Sequence, residues 1–190
     1  MKFDILRWDD VIRLSLKLAR KVSASEFKPD VIVALLRGGL VPARILSDVL
    51  GVHKLFIVGV AFYVDVGIHA SKPVITQPLN ANLGGSNVLI VDDVADTGKS
   101  LIVAKEHVKS MGAGSIKIAT LHKKPWSEIE PDYFVSETNA WIVYPWEYVE
   151  VIKSLESKLS SEALSEEARA HITDALRKIR EALRFYEEHL

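Results

Sequence analysis

At 190 residues, 48% hydrophobic and 26% charged, the chain has the size and composition of a globular domain, long enough to bury roughly 70% of its unfolded surface. A formal net charge of -1 gives no bulk attraction to nucleic acid or an anionic membrane, and no apolar run approaches the ~20 residues of a membrane span or forms a secretory signal. Cysteine is absent, which excludes disulfides, thiolate nucleophiles and cysteine-based metal sites and fits a reducing, cytoplasmic setting.

Trp8-Asp9-Asp10 opens the first predicted helix, with Asp9 as a candidate N-cap. Val11, Leu14, Leu18 and Val22 form its apolar face, and Lys17, Arg20 and Lys21 face water. Asp30 to Leu36 reads as a buried strand, continuously apolar from Val31 onward. It runs into Arg37-Gly38-Gly39 and then a helix with Pro42 in its first turn and Gly51 just past its end. Two adjacent glycines free backbone N–H groups for an anion, and an arginine beside them suits a phosphate. A plain strand–helix turn with a surface arginine is the other reading of these residues. Lys54 to Val60 is the next strand. From about Tyr63 to Ser86 periodicity is lost, and Gly67, Pro73, Pro78, Gly84 and Gly85 punctuate a long loop.

The most informative stretch is Val88 to Leu101, V-L-I-V-D-D-V-A-D-T-G-K-S-L. An apolar β-rich run meets Asp92 and Asp93. A small-residue turn, Ala95 to Ser100, follows. Leu101, Ala104, Val108 and Met111 then recur at helical spacing, and Gly112 is placed to stop the helix. Backbone N–H groups from Asp96 to Ser100 can converge on an anion at the helix N-terminus, with Gly98 permitting close approach and Thr97 and Ser100 adding hydroxyls. Asp92 and Asp93 would repel that anion, so they must face vicinal hydroxyls or a metal ion. A ribose 5-phosphate satisfies both ends. The P-loop pattern G-x-x-x-x-G-K-[ST] fails, because Asp93 stands where its first glycine is required.

This stretch resembles the phosphoribosyl pyrophosphate (PRPP) motif of type I phosphoribosyltransferases, and Leu36-Arg37-Gly38-Gly39 resembles their pyrophosphate loop, in which the peptide before the arginine is often cis. The resemblance spans about residues 8–150. It implies an α/β fold with a twisted, mainly parallel sheet of about five strands flanked by helices, and a small C-terminal hood over about 122–150. It also implies Mg²⁺, PRPP and a base as ligands. The long loop before the motif matches the family's flexible catalytic loop, with a simple β-hairpin excursion as the alternative, and no residue is assigned in it. Carried over residue by residue, Ala95, Asp96, Thr97, Gly98, Lys99 and Ser100 bind the 5′-phosphate side of PRPP. Asp92 and Asp93 hold the ribose, directly or through Mg²⁺. Arg37 and Gly38 take pyrophosphate, and Asp96 is the base on the purine N7 side.

Past the strand Ser115–Leu121, the residues Lys124-Pro125, Trp141 and Pro145-Trp146-Glu147 look like the xanthine–guanine branch of that family. Lys124 can donate to a 6-oxo oxygen and disfavours a 6-amino group; Lys123 is its alternative, one register away. Trp141 can stack on a purine or serve as core. Backbone groups of Ile142 can read the purine 2-position. Glu147 either helps Asp93 hold Mg²⁺ or is a surface charge. The implied activity is transfer of phosphoribosyl from PRPP to hypoxanthine, guanine or xanthine, giving a nucleoside 5′-monophosphate and pyrophosphate. A PRPP-sensing regulator of the same fold, or an enzyme for adenine, uracil or orotate, is the alternative.

Residues 151–190 depart from the branch as a helical extension, broken by Ser160, Ser161 and Ser165. Ile172, Leu176, Ile179, Leu183 and Tyr186 form one apolar stripe. It either packs on the same domain, residues 1–150, or makes a contact in a homodimer or higher homo-oligomer. The six histidines show no metal-ligand spacing.

Overall fold

The computed structural model describes residues 2–63, 72–160 and 164–187. These fall into two compact units: residues 12–138 form one, and residues 1–11 with 139–190 form the other. The helix α1, Trp8–Ser23, runs from the second unit into the first.

The larger unit is built on β2 (Val31–Leu36), α2 (Leu40–Leu50), β3 (Leu55–Tyr63), β4 (Lys72–Gln77), β5 (Asn87–Ala95), α3 (Lys99–Ser110), β6 (Ser115–Lys123) and β7 (Tyr133–Glu137). Its sheet has the order β4-β3-β2-β5-β6-β7. Every neighbouring pair is parallel except β3–β4. The expected α/β architecture is therefore present, with six strands rather than five.

The sixth strand is β4, drawn from the stretch whose sequence lacks periodicity. It is an edge strand with Pro73 inside it, where a missing N–H costs no ladder bond on the open side. Only Pro73 and Ile75 are half-buried; Val74 and Thr76 are exposed. Such a strand carries too little alternation to be read in advance. Residues 64–71 of the expected catalytic loop lie outside the described residues, while 78–86 form an irregular segment with Leu79 and Leu83 buried.

Both faces of the sheet are covered, which is why β2 and β5 read as unbroken apolar runs. Val31, Val33, Leu35, Val88, Ile90 and Ile118 form one core with Leu101, Ala104 and Val108 of α3. The alternate residues Ile32, Ala34, Leu89, Val91, Ala119 and Leu121 are buried on the opposite face, and α2 packs on β2 and β5. Gly51 and Gly112 end α2 and α3 in the left-handed region, with φ of 67° and 89°.

In the smaller unit β1 (Phe3–Ile5) pairs in parallel with β8 (Trp141–Val143). A three-residue strand such as β1 is too short to show any period. The helix cap also differs from expectation: Asp9 lies inside α1, and it is the Asp10 carboxylate that accepts from the Arg7 backbone N–H, at 2.9 Å. A 3₁₀ turn, Pro145–Glu147, leads to α4 (Tyr148–Leu159), followed by α5 (Glu166–Glu187). The apolar stripe of α5 is buried in this unit: Ile172, Leu176 and Ile179 pack with Val143, Tyr148 and Leu155. The Tyr148 hydroxyl donates to the Leu6 carbonyl, tying the start of α4 to the segment after β1.

Ile179 is fully buried in that cluster. Its truncation, Ile179→Ala, is expected to cost about 2–5 kcal/mol in chemical denaturation. Val149→Ala, on an exposed side chain, should stay within about 0.5 kcal/mol.

Candidate active site

The strand β5 continues through both carboxylates to Ala95, so Asp92 and Asp93 belong to a pleated strand and not to a loose tip. Successive side chains therefore point to opposite faces. Asp92, Val94 and Asp96 line a cavity of about 350 Å³, together with Phe62 and residues 97–101. Asp93 turns the other way, toward the loop after β2. It is 6% exposed, and a Cβ added at Gly38 would lie 2.2 Å from its Oδ2. Glycine at 38 is thus what lets the two strand ends close together. Gly39 is equally constrained, with the Val91 carbonyl 2.2 Å from an added Cβ. The peptide between Leu36 and Arg37 is cis, as in the resembled pyrophosphate loop.

The loop 96–100, the expected 5′-phosphate site, follows directly. Gly98 has φ of 80° and occupies the N-cap of α3 with no side-chain cap on the helix. Lys99 N–H makes a long bond to Thr97 Oγ1 at 3.4 Å, and the amides at this helix N-terminus suit an anion, where the helix dipole adds a favourable field. Gly98 is also pinned sterically: an added Cβ would meet Ile129 Cγ2 at 2.7 Å and Ser127 Oγ at 2.8 Å.

Those contacts come from the segment after β6, of which the sequence analysis assigns Lys124 to the site but not residues 126–129. Lys124 N–H donates to the Ala95 carbonyl at 2.9 Å, and Glu128 N–H donates to the Thr97 carbonyl at 3.0 Å. Between these two bonds Trp126 Nε1–H donates to Asp96 Oδ1 at 2.8 Å. Lys124 is 6% exposed, with Nζ 5.6 Å from the centre of the Trp126 ring. Lys99 pairs with Glu128 at 3.6 Å. The available signal was Lys-Pro-Trp itself: a proline-fixed turn at the end of a strand that runs beside the motif strand.

Lys123, the alternative to Lys124, is engaged elsewhere. Glu130 and Glu137 both bind its ammonium, Glu137 at 3.2 Å, and it lies over the Phe134 ring. The Glu130 hydrogen bond, with Glu137, holds it above the ordinary lysine range.

Arg37, Gly38, residues 92–100 and Lys124 all lie in the larger unit. The other expected residues lie in the smaller one. Trp141 opens β8 with its backbone N–H bonded to the Lys2 carbonyl, and its ring is 49% exposed. It is not a core residue. Ile142 is buried, and Glu147 closes the 3₁₀ turn with its N–H on the Tyr144 carbonyl. Among the described residues no group of three or more His, Cys, Asp or Glu side chains gathers as a metal cluster.

Electrostatically the site is an acidic pair beside an amide-lined anion pocket. Burial and the neighbouring Asp93 charge push the Asp92 carboxyl well above its usual range, against the opposing hydrogen bond that Asp93 N–H donates to Asp92 Oδ1 at 2.9 Å.

A parallel α/β sheet with this acidic strand end and phosphate loop at its carboxyl edge defines a class, the type I phosphoribosyltransferases. The comparisons agree. The phosphoribosyl transferase domain model matches residues 4–151. A xanthine-guanine phosphoribosyltransferase of Idiomarina loihiensis is 31% identical over 79% of this chain and 92% of that protein. The corresponding protein of Gluconobacter oxydans is 30% identical over 74% and 82%. Among solved structures, a purine phosphoribosyltransferase from Pyrococcus horikoshii is 48% identical with a TM-score of 0.70, covering 77% of this chain and 94% of that one. The chain belongs to the phosphoribosyltransferase family, in its type I purine branch, and is an enzyme of that family.

The raised Asp92 carboxyl has a measurable consequence. Ionising it in the folded state costs stability, so the protein loses stability as pH rises through its folded-state pKa. Asp92→Asn removes the charge and keeps an oxygen for the Asp93 N–H. Its melting temperature should exceed wild type at pH 7.5, and the gap should narrow as pH falls and close below about 3, where the carboxyl is protonated in both states.

Proposed function

We propose that the enzyme transfers phosphoribosyl from PRPP to a 6-oxopurine, releasing pyrophosphate. The observation that carries this reading is the convergence at one sheet edge of Asp93 against Gly38 with the Asp92-to-Ser100 cavity. This supports assigning pyrophosphate to the Arg37-Gly38 loop and the 5′-phosphate to the loop 96–100, which meet the same strand end.

In the reaction the bond from the ribose anomeric carbon to pyrophosphate breaks and a bond to the purine nitrogen forms. Positive charge develops on the sugar between these events, and Asp92 and Asp93 are placed to stabilise it. Residues 96–100 anchor the 5′-phosphate and hold the sugar in register. Arg37 and Gly38 receive the pyrophosphate. Asp96 hydrogen-bonds or accepts a proton at the N7 side of the base.

The donor set also fits magnesium. The Asp93 carboxylate, lying against the Gly38 backbone of the β2–α2 loop, is a hard oxygen donor beside the residues proposed to take pyrophosphate, and Mg²⁺ typically takes one or two carboxylates plus substrate phosphates. Asp93, with Asp92, is the proposed holder, and Glu147 is assigned to the ion or its water shell on the resemblance. When bound, the ion neutralises charge on the pyrophosphate.

Base selection is assigned to Lys124 as donor to the 6-oxo oxygen, to the Trp141 ring as a stacking surface, and to backbone groups of Ile142. The engagement of Lys123 by two glutamates supports Lys124 over Lys123, and the exposure of Trp141 supports stacking over core.

The deciding experiment follows pyrophosphate release from PRPP and Mg²⁺ with hypoxanthine, guanine, xanthine, adenine, uracil or orotate. Release with the 6-oxopurines and not the other bases is expected. PRPP binding without release for any base would replace the reading with a PRPP-sensing regulator. Within the active enzyme, Lys124→Ala should lower kcat/KM for hypoxanthine by about tenfold or more, as loss of a charged hydrogen bond does, with KM for PRPP little changed. Lys123→Ala should not; the reverse pattern would move base selection to Lys123.

A further inference from the structure

We infer that Trp126 is a positioning residue that sets the base-reading pair, holding Asp96 through its indole N–H and Lys124 through its ring face. The inference rests on the 6-oxopurine reading and deepens it, adding a residue that the resemblance does not assign.

Three observations carry it. First, one side chain touches both partners: Nε1–H lies 2.8 Å from Asp96 Oδ1, and Lys124 Nζ lies 5.6 Å from the ring centroid, within cation–π range. Second, its own backbone is fixed. The Lys124–Ala95 and Glu128–Thr97 bonds bracket it on either side, and Ser127 N–H closes a turn onto the Lys124 carbonyl at 3.1 Å. A side chain on such a clasp can impose geometry on its neighbours. Third, the ring is 54% exposed. A large aromatic left that open contributes little to a core, so its packing does not explain its place.

The chemistry explains why one residue should hold both groups. The N7 and the 6-oxo oxygen sit side by side on one edge of a purine. A carboxylate serving the first and an ammonium serving the second attract each other, and a direct Asp96–Lys124 ion pair would satisfy both and leave neither for the base. An indole between them gives each a separate partner: a donor in the ring plane for the carboxylate, a π face for the cation. The two functional groups then stay apart and aimed.

Two conservative variants separate the two contacts. Trp126→Phe keeps a ring face for Lys124 and removes the donor to Asp96. Trp126→Gln keeps an N–H donor and removes the ring face. The Phe variant should lose kcat with hypoxanthine by about tenfold, the scale on which small misplacement of a reacting group acts, while holding the wild-type preference for hypoxanthine over adenine. The Gln variant should hold kcat better and lose that preference. Both should keep the wild-type melting temperature within a few degrees, because the residue is exposed. Parallel losses of kcat and preference in both variants, or wild-type kinetics in both, would overturn the inference. The wild-type arm reports separately on the underlying reading: an enzyme that releases no pyrophosphate with hypoxanthine sinks that reading, and this inference with it.

Discussion

The alternation of side chains along β5 is the constraint on which the site depends. Because neighbours on a strand face opposite ways, the dipeptide Asp92-Asp93 serves two compartments at once. Asp92 faces the α3 side and its anion pocket, while Asp93 reaches the β2–α2 loop. The cost is visible in the raised Asp92 carboxyl. Two like charges one residue apart in a partly buried strand destabilise the fold, and that same repulsion prepares the place for a cation or for developing positive charge. Stability and function oppose each other here for one electrostatic reason.

Glycines fix the rest by what they leave out. At Gly38 and Gly39 the room for a Cβ is already filled by the Asp93 carboxylate and the Val91 carbonyl. At Gly98 it is filled by Ser127 and Ile129, and the backbone there adopts a left-handed conformation. The phosphate loop is therefore shaped from two directions: by its own chain reversal into α3, and by the segment after β6 that clasps it. In the proposed reaction this clasp links the loop assigned to the sugar phosphate to Lys124, the residue assigned to the base. In a transferase the sugar carbon and the base nitrogen must meet in line, so a rigid connection between their two holders has a direct kinetic purpose.

The extent to which the sequence disclosed the site follows from the range of the interactions involved. Residues 92–100 act as a contiguous unit, and strand, turn and helix N-terminus are all local; the motif could be read as written. Arg37-Gly38-Gly39 was readable for the same reason, and the cis peptide before Arg37 is present as the resemblance implied. Trp126 was passed over because its role depends on a hydrogen bond to a residue thirty positions earlier. No local pattern encodes that. The choice between Lys123 and Lys124 was open for a related reason: strand register alone decides which of two adjacent lysines meets Glu130 and Glu137.

By itself, then, the sequence determined the α/β class, the order of the strand–loop–helix units and the residues of the two loops to which phosphate binding is assigned. These rest on apolar periodicity and on local backbone requirements that neighbouring residues impose. Tertiary structure alone decided that a sixth strand, β4, joins the sheet edge, that β1 pairs with β8, and that Asp92 and Asp93 divide between two faces. It alone placed Trp126 between Asp96 and Lys124. Each of these depends on pairing register and on contacts between residues distant along the chain, and such contacts exist only once the sheet has assembled.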